Sequence, residues 1–133
     1  MLLKERILGC TEHFDAAHFL PGYQGKCANV HGHTWHITVE IRGEVQADGM
    51  VMDLSNLKNI VKIAIAPFDH ALINSLDFMT PAVVNPTCEN LISWIYERIY
   101  MHPCFSNPTP LYHIHSIELR EGDGGYARWE ETI

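Results

Sequence analysis

Apolar and polar positions alternate through residues 7–19, which predicts a strand with Phe14, Ala16 and His18 on one face and Thr11, His13 and Asp15 on the other. A Pro-Gly-Tyr-Gln-Gly stretch from Pro21 to Gly25 reads as a loop. The alternation resumes more cleanly from His31 to Glu44. His31, His33, Trp35, Ile37, Val39 and Ile41 face one way, with Thr34, His36, Thr38, Glu40 and Arg42 opposite. If these two strands form an antiparallel hairpin, His18 comes level with His31 and His33.

Beyond a turn at Ala47-Asp48-Gly49, Met50 to Met52 reads as a short extended piece. The period then becomes helical: Asp53 or Ser55 can cap a helix that buries Leu57, Ile60, Val61 and Ala64, and Pro67 stops it. A loop carrying Asp69-His70 runs on to about Asn85. Asn85-Pro86-Thr87 opens a second helix with Leu91, Trp94, Ile95 and Ile99 on its buried stripe. His102-Pro103 and the loop Asn107-Pro108-Thr109-Pro110 end it. Residues 111–121 alternate again, placing Ile117, Leu119 and Glu121 on one face. Gly122-Asp123-Gly124-Gly125 is a hairpin turn, and Tyr126 to Thr132 is the return strand. The predicted class is α+β, one domain over residues 1–133, in the order β-β-α-α-β-β. Two helices would cover one face of a four-stranded antiparallel sheet. The open edges of such a sheet favour a closed oligomer.

The chain has 133 residues, 47% of them hydrophobic, enough for one cored domain. A net charge of −7, with only nine scattered Lys and Arg residues, argues against nucleic acid as a partner. Every long apolar stretch is broken by Asp, Lys or Pro, so no membrane span is expected, and the amino terminus lacks the pattern of a signal peptide. Cys10, Cys27, Cys88 and Cys104 form no C-x-x-C pair, which points to free thiols in the cytoplasm.

The chemistry concentrates in Cys27-Ala-Asn-Val-His31-Gly-His33. The i, i+2 spacing on a strand aims two imidazoles the same way, and His18 can supply a third. Three histidines without a fourth protein ligand describe a zinc site with one position open for substrate. Cys27, beside Lys26 and such a cation, would favour its thiolate and suit proton abstraction; as a fourth ligand it would instead close the site. His113-Ile-His115 has the same spacing but no upstream partner or adjacent thiol, and is read as structural or surface. Asp69 can orient His70 as an acid/base relay. Glu121 emerges from a core face and can accept paired N–H bonds from an amidine-like ring edge, unless it is simply an exposed strand-end carboxylate. Thr87 and Glu89 have an ordinary role as cap and first-turn acid, and the N–H groups there can also hold a ligand.

Six pieces in order resemble the 6-pyruvoyl-tetrahydropterin and 6-carboxy-tetrahydropterin synthase family. They are Phe14-Asp-Ala-Ala-His18, the cysteine-to-His33 heptad, Gly49-Met-Val-Met-Asp53, Asp69-His70-Ala-Leu-Ile-Asn74, Asn85-Pro-Thr-Cys-Glu89-Asn90 and Glu121. The resemblance implies a tunnelling fold whose units join into a barrel, a homohexamer of two stacked trimers with the active site between subunits. It implies zinc on His18, His31 and His33, Cys27 as proton acceptor, Asp69 and His70 as relay, and Glu121 as pterin anchor with the Thr87 region beside it. Three residues between Cys27 and His31 resemble the 6-carboxy branch that leads to queuosine and other 7-deazaguanines. The expected reaction converts 7,8-dihydroneopterin triphosphate to 6-carboxy-5,6,7,8-tetrahydropterin, acetaldehyde and triphosphate. The alternatives are a 6-pyruvoyl-tetrahydropterin synthase, cleavage of the dihydroneopterin side chain, or a zinc-dependent pterin-binding module without turnover. Thr34-Trp35, Leu54, Gly122 and Trp129 depart from the family's usual residues.

Overall fold

The computed structural model describes residues 3–77 and 85–132. Strands β1 (Glu5–His18) and β2 (His31–Glu44) form a long antiparallel hairpin in unbroken register, pairing Phe14 with Trp35, Ala16 with His33 and His18 with His31. Helix α1 (Leu54–Ile65) follows, capped by Asp53, whose carboxylate accepts the Ser55 N–H at 2.8 Å. Helix α2 (Cys88–Tyr100) is capped by Thr87 through the Asn90 N–H at 3.2 Å. Pro86 therefore precedes the cap and lies outside the helix. Strands β4 (Tyr112–Glu121) and β5 (Gly125–Glu130) complete an antiparallel set through the expected turn at Gly122.

The sheet has five strands, not four. Ala71–Leu72 forms β3, a two-residue strand parallel to Ala16–Ala17 at the β1 edge, giving the order β3-β1-β2-β4-β5. So short a pairing carries no periodic signal. A third helix, α3 (Pro103–Ser106), occupies part of the expected loop after α2. Residues 50–52 form no strand: Val51 and Met52 are bends, and both are buried. The loop expected to reach Asn85 lies partly outside the described residues.

Both long helices pack on one face. Leu57, Val61 and Ile65 of α1 and Leu91, Ile95 and Ile99 of α2 meet Phe14, Trp35, Ile37, Val39, Ile117 and Leu119 of the sheet in one apolar core. Ile92 is buried on α2, whereas Trp94 is only partly covered. In β4 the register shifts opposite Glu40 and Ile41, so Ile114 and Ile117 both face the core with His115 as the extra residue. The other face carries polar pairs, among them Thr11–Thr38 hydroxyls at 2.9 Å and Ser116 donating to Glu40 at 2.6 Å.

Candidate metal centre and its clefts

Four side chains converge where β1, β2 and β4 end together: His18, His31, His33 and Glu121, with donor atoms all within 4.8 Å of one another. The hairpin register sets His18 opposite His31, and the pairing of Trp35 with Glu121 brings the carboxylate alongside. Trp35 forms the floor. Its buried indole stacks on Phe14, stands edge-on to His18 and His33 at 4.8 and 5.5 Å, and donates its N–H to the Ala16 carbonyl at 3.2 Å.

The outward ring nitrogens are committed. His18 Nδ1–H donates to the Pro86 carbonyl at 2.8 Å and His31 Nδ1–H to the Asn29 carbonyl at 2.7 Å. Carbonyls only accept, so in neutral imidazoles both Nε2 atoms present lone pairs to the centre. Glu121 Oε1 lies 3.0 Å from His18 Nε2 and 2.8 Å from His33 Nε2, the latter without hydrogen-bond alignment. His31 Nε2 and His33 Nε2 are buried without a hydrogen-bond partner. Burial disfavours the His33 imidazolium and moves its pKa below the ordinary value; Glu121 opposes this, while His31 and His18 reinforce it. Acceptor atoms facing one another around a shared centre fit a bound cation, and imidazole with carboxylate suits zinc.

Cys27 contributes no atom to this group, so among the described residues the fourth donor at the centre is Glu121. The thiol sits half-buried on a tight turn over Lys26–Ala28, fastened by the Leu20 N–H to the Cys27 carbonyl at 2.8 Å. Cys10 and Cys88 are buried, and burial pushes their thiols up to about 11 and about 12, so neither is a neutral-pH nucleophile. The phase of β4 puts Glu121 on the face of Ile117 and Leu119, but its place beside the histidines comes from the pairing of β4 with β2.

The centre stands between two clefts. One, about 600 Å³ and wide open, has His33, Thr34, Asp15, His70 and Leu72 among its walls. The other, about 230 Å³, brings Thr87 and Glu89 beside His18, Cys88 and Glu121. Asp69 and His70 thus lie on the His33 side. Asp69 accepts the Asp15 N–H at 3.0 Å, Asp15 accepts the Thr34 hydroxyl at 2.6 Å, and the Asp15 carbonyl accepts the His70 N–H. His70 adopts a left-handed backbone, φ 58°. Asp15 fastens this loop, a role that its place on the polar face of β1 does not signal. His115 lies against Glu130 and Glu131, and Arg42 donates to Glu131 at 2.7 Å, consistent with the structural reading of that histidine.

Asp69 Oδ2 and His70 Nδ1 are 3.0 Å apart. The Asp15 N–H first, and His70 second, hold the Asp69 carboxyl below its usual range; the Asp69 hydrogen bond raises His70. The raised pKa means that the pair is fully formed below the ordinary imidazole value and is lost as pH rises through the folded one. Asp69→Asn is therefore expected to move the His70 NMR titration midpoint toward acid; an unchanged midpoint would show that the carboxylate does not govern the ring.

The sequence profile of the 6-pyruvoyl tetrahydropterin synthase family matches residues 8–132. The chain belongs to this family. A Haemophilus influenzae 6-carboxy-5,6,7,8-tetrahydropterin synthase is 51% identical over 141 aligned positions, covering 89% of this chain and 94% of that protein. A Pyrococcus furiosus dihydroneopterin monophosphate aldolase is 37% identical over 86 positions, covering 65% of this chain and 68% of that protein. The Caenorhabditis elegans 6-pyruvoyl tetrahydropterin synthase structure superposes with a TM-score of 0.80 at 24% identity, covering 98% of this chain and all of that one, and shows the shared fold. The family is one of tetrahydropterin synthases, hence of enzymes. No helix among the described residues is long and apolar enough to cross a membrane.

Proposed function

We propose that this chain is a zinc-dependent lyase converting 7,8-dihydroneopterin triphosphate and water to 6-carboxy-5,6,7,8-tetrahydropterin, acetaldehyde and triphosphate, a step toward 7-deazaguanines. The observation carrying the choice of product is the 51% identity to the Haemophilus influenzae 6-carboxy synthase across nearly both chains. The three-residue spacing from Cys27 to His31 supports it. His18, His31 and His33 would hold the zinc ion, which supplies a Lewis acid for the substrate's side-chain hydroxyls. Cys27 takes a carbon-bound proton next to the ring, the side-chain electrons reduce the pterin without an external hydride donor, and water supplies the carboxyl oxygen. His70, oriented by Asp69, moves protons during triphosphate loss and carbon–carbon cleavage. Glu121 accepts the ring's 2-amino and N3 hydrogens, and the helix start at Thr87 and Glu89 borders the same cleft.

The working assembly is a homohexamer in the cytoplasm, formed as two stacked trimers. It would shelter the open edge of β5 and the barely covered edge of β1. Native mass spectrometry of the purified protein tests this.

The dihydroneopterin monophosphate aldolase relative favours one second reading, cleavage of the side chain to a 6-hydroxymethyl-dihydropterin. Mass spectrometry of products from dihydroneopterin triphosphate, with and without chelator, separates the two. Carboxy-pterin and acetaldehyde that vanish with chelator are expected; hydroxymethyl-pterin as the product would replace the proposal with the second reading.

A further inference from the structure

Glu121 borders the cleft proposed for the ring, yet its carboxylate also reaches into the histidine centre. Its Oε1 lies 3.0, 2.8 and 4.0 Å from the Nε2 atoms of His18, His33 and His31. Metal bonds of about 2.0–2.1 Å give a tetrahedron whose vertices are roughly 3.3 Å apart, and the three separations straddle that edge. The oxygen thus lies at about a ligand-to-ligand separation from each of the three nitrogens, and all four donors fall within 4.8 Å of one another. An ordinary buried ion pair explains the position less well. His18 already gives Nδ1–H to Pro86, so its 3.0 Å contact with Glu121 needs an added proton on the imidazole or on the carboxyl, and the 2.8 Å approach of His33 makes no hydrogen bond. The other carboxylate oxygen, Oε2, is 3.8 Å from the Cys88 thiol in the wall of the smaller cleft.

We infer that Glu121 is the resting fourth ligand of the metal, released when a pterin's amidine-like edge claims its carboxylate. The inference rests on the three-histidine metal reading and adds an order of events to it. Without a ring in the smaller cleft the carboxylate closes the coordination sphere and keeps water from the open position. A seated ring takes the carboxylate by two N–H bonds, and only then does that position become available to the substrate's side-chain hydroxyls. One residue thereby couples ring recognition to metal access. A molecule with hydroxyls but no amidine edge would bind the metal poorly.

The experiment compares wild type, Glu121→Gln, Glu121→Asp and His31→Ala for zinc affinity by chelator competition and for the visible bands of the cobalt-substituted protein. Glu121→Gln removes the anionic ligand at constant size; Glu121→Asp keeps the charge but shortens the reach. Both are expected to lower zinc affinity about tenfold or more and to shift the cobalt bands, as a water replaces the carboxylate. His31→Ala is expected to lose zinc. Unchanged affinity and bands in Glu121→Gln, with zinc lost in His31→Ala, would overturn the resting-ligand inference and leave the three-histidine site standing. A shift in Glu121→Gln with wild-type behaviour in Glu121→Asp would also overturn it, since charge and not ligation would then be responsible. Zinc retained at wild-type affinity by His31→Ala would overturn the metal reading itself.

Discussion

Replacing Cys27 with alanine is expected to lower kcat by about 10²–10⁴-fold, the usual range for removing a positioned proton acceptor. Zinc content should stay unchanged, because the donors at the centre are His18, His31, His33 and Glu121 and the thiol is not among them. The two readouts together decide between roles. Loss of turnover with full zinc content is the signature of a base, whereas loss of zinc would make Cys27 a ligand. Ligand affinity retained in both proteins, with no turnover in either, would mean a pterin-binding module. The backbone should tolerate the change: Cys27 is held through its carbonyl by Leu20 N–H, a contact that the side chain does not enter.

Trp35→Ala is expected to cost about 3–5 kcal/mol of stability, among the larger penalties for a core truncation. The indole is fully buried, stacked on Phe14 with the ring planes 4° apart, and it is the surface against which His18 and His33 rest. Its loss leaves a cavity under the centre and frees the His18 and His33 rings to change rotamer, so zinc affinity should fall with stability if these rings hold the metal as proposed. Urea unfolding in the presence of chelator separates the effects, since bound metal adds its own linkage to the folded state. A midpoint corresponding to less than about 1 kcal/mol would show that the floor repacks. Trp35→Phe fills most of the space but leaves the Ala16 carbonyl without its 3.2 Å partner, and should cost about 1–3 kcal/mol.

Much of this centre was legible because strand periodicity is a strict ruler. Alternation in two segments, taken with hairpin pairing, brings His18 level with His31 and His33, and the structure pairs His18 with His31. Apolar spacing places α1 and α2, while the structure decides for Asp53 over Ser55 as the first cap and starts α2 after Thr87, with Pro86 outside it. What stayed hidden depends on contacts that no local pattern carries. The pairing of Ala71–Leu72 with β1 is made by two residues and by the Asp15 clamp on the preceding loop. The bulge at His115 is equally silent: Ile114 looks out of phase with Ile117 in a regular strand, and only the register against β2 brings both inward. Glu121 read as a ring anchor from its place after Leu119. Its approach to three imidazoles required the fold.

His70 has a consequence for anyone who improves this protein by selection. At φ 58° its backbone is costly for most side chains, and glycine or asparagine would relax it. A library at position 70 sorted for heat resistance alone should therefore enrich residues without an imidazole, and the survivors should be robust and slow. Sorting the same library for product formation should return histidine. If His70 is the proposed relay, durability and turnover pull against each other at that one position, and a stability screen run without an activity assay would remove it first.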